Sequence, residues 1–158
     1  MRVVVRRGVH GDPVEFWLRR MREVTRHNYA SSLMRFLAWL NRRSGWLGVD
    51  AGTLLSIQRS VVAGDYSRIA VRFGLTVDQF AEKVANGELE DPHYIILSLL
   101  QEFVDSLDKT RSGKLGVYSS VRSFFEHNRC PLPKDAAYQV QSKKVGVLPK
   151  LALEHIIN

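Results

Sequence analysis

Apolar residues recur along this chain at spacings of three and four, and the helices they imply follow one another from residue 13 to residue 128. The first segment, "PVEFWLRRMREV", places Val14, Trp17, Leu18 and Met21 at i, i+3, i+4 and i+7, with Asp12 or Pro13 at its start. It leads straight into the second, "TRHNYASSLMRFLAWLNRR", where Tyr29, Leu33, Phe36, Leu37 and Leu40 share one side and Thr25 is placed to cap the first turn. After the glycine-broken "RSGWLGVD", Asp50 caps a third helix through "AGTLLSIQRSV". Between residues 61 and 91 the pattern weakens. Thr76 starts a short helix with Val77, Phe80, Ala81 and Val84 that Asn86-Gly87 ends, whereas "DYSRIAVRF" reads equally as a turn of helix or as irregular chain. From Pro92 the set Ile96, Leu100, Phe103, Val104 and Leu107 restores a strong stripe, with Glu102, Asp105 and Asp108 opposite. A last helix over "KLGVYSSVRSFFEHN" buries Val117, Val121, Phe124 and Phe125 and stops at Asn128 and the prolines 131 and 133.

No alternating strand pattern of any length precedes residue 138. "YQVQSKKVGV" reads as extended linker and "LALEHIIN" as a helix cut short. The expectation is a compact all-α bundle of four to six helices with a C-terminal linker tail: an N-terminal tail over 1–12, the bundle over 13–135 and the linker over 136–158.

Charge adds a partner class. Across 158 residues, 23 Lys and Arg face 16 Asp and Glu, a net +7 with a pI near 9.9, a balance that favours polyanions such as nucleic acid or an anionic membrane surface. No apolar run approaches a bilayer span, and the "MRVVVRRGVHGDP" start is far short of a secretory core. The single cysteine, Cys130, excludes an internal disulfide and any multi-cysteine metal site, so a soluble cytoplasmic chain is expected.

Catalytic patterns are missing from the sequence. The five His residues, 10, 27, 93, 127 and 155, have no metal-ligand spacing, no phosphate-cradling glycine loop or nucleophile elbow is present, and the carboxylates spread along solvated faces. No catalytic residue, metal or cofactor is assigned.

Two helices carry a second face beside the apolar one. On the second helix Asn28, Ser31, Ser32, Arg35, Trp39 and Arg42 recur at helical period; on the last, Lys114, Tyr118 and Arg122 fall at i, i+4 and i+8, next to Arg111 and Ser112 in the loop before it. Turned the same way, two such faces would follow a duplex backbone. Left merely solvated, they would belong to a helical protein-interaction module with an exposed Trp39 or Trp46 as its anchor.

"TRHNYASSLMRFLAWL" resembles the core-binding domain of tyrosine recombinases, the phage-type integrases. "SGKLGVYSSVRSFFEHNRCPLPKD" is similar to that domain's closing element, a helix carrying Tyr118, Ser120, Arg122, Phe124 and Phe125 followed by a short loop and Leu132-Pro133. The match spans roughly residues 13 to 135, and "KVGVLPKLALEHIIN" looks like the linker toward a catalytic domain. The chain departs from the pattern at "KLG", where the family has a Thr, and in a longer 50–91 stretch. The resemblance implies an integrase-type (SAM-like) bundle that clamps duplex DNA in recombination or integration, with catalysis left to a separate domain. It offers Thr25, Arg26, Asn28, Ser32 and Arg35, then Arg111, Ser112, Lys114, Tyr118 and Arg122, as DNA-facing residues. It also implies a monomer or weak self-association for this piece, with assembly on DNA.

Overall fold

A computed structural model describes residues 11–141; the expected helix in "LALEHIIN" lies outside them. Among the described residues all regular structure is helical: α1 Pro13–Leu18, α2 Glu23–Leu40, α3 Ala51–Val62, α4 Ser67–Arg72, α5 Val77–Ala85, α6 Ile95–Asp105 and α7 Arg111–His127, with a single 3-10 turn, Pro92–Tyr94, ahead of α6. The all-α expectation holds, with seven α-helices where four to six were expected.

The first two expected helices are not continuous. Asp12 caps α1 through Oδ1, which accepts from the backbone N–H groups of Val14 at 2.9 Å and Glu15 at 3.3 Å. The helix then stops after six residues, and α2 restarts at Glu23 from an extended Arg22 without a side-chain cap. Thr25 therefore sits inside the first turn of α2 and caps nothing, a correction to the expected helix start. The docking of Trp17 sets the break: its indole N–H donates to Ser123 Oγ at 3.0 Å, and its ring meets Phe124 edge-on at 5.4 Å and Tyr29 at 5.8 Å. Arg26 bridges the turn by donating to the Met21 carbonyl at 2.9 Å.

α2 and α7 form the central pair, and α6 packs on both. Leu33, Phe36, Leu37 and Leu40 of α2 are buried with Val117, Val121, Phe124 and Phe125 of α7, as the periodicity predicts. Phe103 of α6 closes the layer, 5.4 Å from Phe36 and 5.7 Å from Trp39. Trp46 is also core, only 4% exposed, which removes it as an exposed anchor.

Asp50 caps α3, accepting from the Thr53 N–H at 2.8 Å, and this hydrogen bond holds its carboxyl below the usual range. The C-terminal part of α3 is tied to the end of α7 by Arg59, which donates to the Asn128 carbonyl at 2.8 Å. The ambiguous "DYSRIAVRF" becomes α4, because Ile69 and Ala70 are buried beside α3. Thr76 and Gln79 form a reciprocal capping box on α5, and Phe80 lies 5.7 Å from both Tyr66 and Phe73. At Gly45, φ is +91° and an added Cβ would collide with the Arg72 carbonyl oxygen, so the approach of the α2–α3 loop to α4 requires glycine.

α7 begins three residues before the expected Lys114. Thr110 caps it, accepting from the Gly113 N–H at 3.2 Å, so Arg111 and Ser112 belong to its first turn and not to a loop.

Candidate nucleic-acid interface

α2 presents an open polar strip. Asn28, Arg35, Ala38 and Arg42 are exposed and Ser31 is half-buried, one or two turns apart along the side opposite Leu33 and Leu40. The only carboxylate on the helix is Glu23, in its first turn. Neither Arg35 nor Arg42 forms an ion pair with a described residue. Arg26 is exposed but held to Met21, while Thr25 and Ser32 are half-buried at the edge of the strip. Trp39 leaves the strip for the core: it stacks on Phe36 at 6.2 Å and is covered by the Arg43 guanidinium at 4.5 Å from its ring centre.

The expected second strip, on α7, is turned inward. Lys114 is 4% exposed and its ammonium donates to the Asp105 carbonyl at 3.4 Å, at the end of α6. Arg122 is half-buried and donates to the carbonyls of Pro133 at 3.2 Å and Leu132 at 3.4 Å. Its guanidinium also lies 5.4 Å from the centre of the Tyr118 ring. Tyr118 in turn packs on Tyr138 at 5.1 Å and accepts from Gln101 at 3.4 Å. These three side chains hold the protein's own chain, so the expectation of a free cationic strip over α7 is corrected. Arg111 is exposed but donates through Nε to the Val140 carbonyl at 3.2 Å; Ser112 is exposed.

What α7 holds is the segment after it, which returns antiparallel along the helix. Cys130 and Leu132 are buried, Asp135 accepts from Gln101 at 3.1 Å, Tyr138 donates to Asp105 Oδ1 at 2.8 Å, and Val140 is buried. Burial and then the Asp105 carboxylate push the Tyr138 phenol well above its ordinary value, and burial pushes the Cys130 thiol up. Sequence reasoning placed Tyr138 in a linker and missed this role; the alternation of Cys130 with Leu132, and of Tyr138 with Val140, is the signal that marks a packed extended segment.

Charge is unevenly distributed. Residues 11–141 carry 17 Lys and Arg against 15 Asp and Glu, so five of the seven net positive charges fall in 1–10 and 142–158, outside the described residues. Residues 73–108 hold eight carboxylates and one Lys. Within the described structure, the cationic character therefore concentrates on the N-terminal helices and around α7.

Among the described residues no three His, Cys, Asp or Glu side chains converge as a metal site, and no helix is long and apolar enough to cross a membrane. The fold and site define an all-helical bundle with one uncompensated polar-cationic helix face. Comparison with protein-family models, with curated proteins and with solved structures finds no match.

Proposed function

We propose that this protein binds duplex DNA through the outer face of α2, as the DNA-clamping, non-catalytic part of a tyrosine-recombinase-like system for recombination or integration. The observation that carries it is the strip Asn28, Ser31, Arg35 and Arg42, accessible and free of paired carboxylates. Arg35 and Arg42 supply phosphate contacts and hence most of the affinity; Asn28 and Ser31 suit hydrogen bonds to phosphates or base edges. Ala38, between the two arginines, lets a backbone approach closely. Arg111 and Ser112, exposed in the first turn of α7, are a secondary contact; Lys114, Tyr118 and Arg122 support the fold that presents them.

The test is fluorescence anisotropy of a ~30 bp duplex at several salt concentrations, for the wild type and an Arg35→Glu/Arg42→Glu variant. Wild-type binding should weaken steeply with salt, and the variant should lose about 2 from the slope of log K against log salt, one per phosphate contact. Helicity and melting temperature should not change, because both side chains are exposed. Salt-independent binding, or equal binding by both proteins, would reject the DNA reading.

A further inference from the structure

The outer strip of α2 changes character along its length. Val24, Asn28, Ser31, Arg35, Ala38 and Arg42 follow one another at alternating steps of four and three, so they form one line of side chains along the helix. Val24 opens that line 73% exposed and stands outside the apolar core. The line also divides by charge. Its C-terminal half carries Arg35 and Arg42 with no carboxylate of the helix beside them, whereas Glu23 adjoins Val24 at the other end. Arg26 does not offset that carboxylate on the strip. It lies two residues from both Val24 and Asn28, on the opposite side of the helix, and is held by the Met21 carbonyl at 2.9 Å.

We infer that the N-terminal half of this line reads bases in the major groove, with Val24 packed on a thymine methyl and Asn28 paired to an adenine. The inference rests on the DNA reading of α2 and adds what the duplex must contain. Phosphates suit the half that carries Arg35 and Arg42 and are disfavoured beside the Glu23 carboxylate, so the Val24 end meets the duplex away from its backbone, at the base edges. Thymine carries the only methyl group among the four unmodified bases, and it projects into the major groove alone. An exposed valine is the complement of that methyl and has no counterpart in the minor groove. Asn28 can accept from adenine N6 and donate to N7 in a bidentate pair. Four residues separate Val24 from Asn28, about 6 Å along the axis, close to two base-pair steps of ~3.4 Å. Arg35 follows about 10 Å and Arg42 about 21 Å beyond Asn28, where a straight helix leaves the curving groove and meets phosphates.

The experiment is selection of bound duplexes from a random-sequence library on the whole protein, followed by anisotropy titration of an enriched site. The same site is then titrated with single thymines replaced by deoxyuridine, which removes the methyl and keeps the base pair. Enriched sites should share neighbouring A·T pairs. One of the uracil replacements should weaken wild-type binding about fourfold, the value of one buried methyl, and should have no effect on Val24→Ser, which already binds more weakly. Asn28→Ala should lose about fivefold or more on the enriched site and keep the wild-type affinity for mixed-sequence duplex. Both positions are exposed, and thermal melts establish that each variant is folded; the uracil duplexes test the wild type itself and need no variant. Salt-dependent binding with no enriched sequence, enriched sites without A·T pairs, no effect of uracil at any thymine, or an equal effect in wild type and Val24→Ser would overturn the inference and leave the DNA reading of α2 standing. Salt-independent binding would remove both.

Discussion

Arg122 donates to two carbonyls of the returning chain and lies over the Tyr118 ring, so truncating it leaves those acceptors to water and loosens residues 129–141. Arg122→Ala should destabilise the protein by about 1.5–3 kcal/mol, the range for hydrogen bonds to a charged group, measured by urea unfolding. Arg122→Lys should recover only part of this, because an ammonium lacks the fork that reaches both carbonyls. Tyr138 gives a pH signature. Its folded-state pKa is raised above the ordinary 10, so its contribution is full below pH 10 and is lost as pH rises through and beyond that value, where the unfolded phenol ionises first. Wild type should therefore lose stability above pH 10 more steeply than Tyr138→Phe, in melts followed by circular dichroism. The sequence could not separate these roles, because Arg, Lys and Tyr suit backbone carbonyls as well as phosphate oxygens. Among the described residues, neither Arg35 nor Arg42 has a side-chain hydrogen bond to a carbonyl or an ion pair.

At the scale of elements, capping chemistry was the most legible signal. Asp50 and Thr76 start α3 and α5 where the sequence places them, and Thr76→Ala should cost about 1 kcal/mol, read as a drop in the urea midpoint at unchanged m-value. The apolar stripes of α2, α6 and α7 were equally readable, since each buries a single face. Three features were not. The α1–α2 break depends on where Trp17 finds Ser123 and Phe124, a contact across the chain. α4 is six residues long and owes its helix to burial of Ile69 and Ala70 against α3, not to propensity. The true start of α7 was hidden because Thr110 caps it ahead of Gly113, a weak helix former just before the expected Lys114 start.

Across the whole molecule the net +7 is unevenly placed: the described bundle is nearly balanced and polarised, with acid concentrated in 73–108. Neutralising Arg35 and Arg42 should weaken DNA binding and flatten its salt dependence, while Glu88→Gln/Glu90→Gln, in the acidic stretch, should leave the salt slope unchanged, both read by anisotropy. The all-helical class was legible because helical periodicity is local; the inward turn of Lys114 was not, because it depends on the neighbouring end of α6.

The antiparallel return of residues 129–141 along α7 also has a mechanical consequence. Its attachments follow in series from the far end: Val140 to Arg111, Tyr138 to Asp105, Asp135 to Gln101, then Pro133 and Leu132 to Arg122. A pull applied at residue 141 away from the helix loads these links one at a time, as a zipper opens, and never all together. The segment therefore peels at low force while the α2–α7 pair stays packed, and tension at that point exposes the Tyr118 and Arg122 side of α7 before it threatens the bundle.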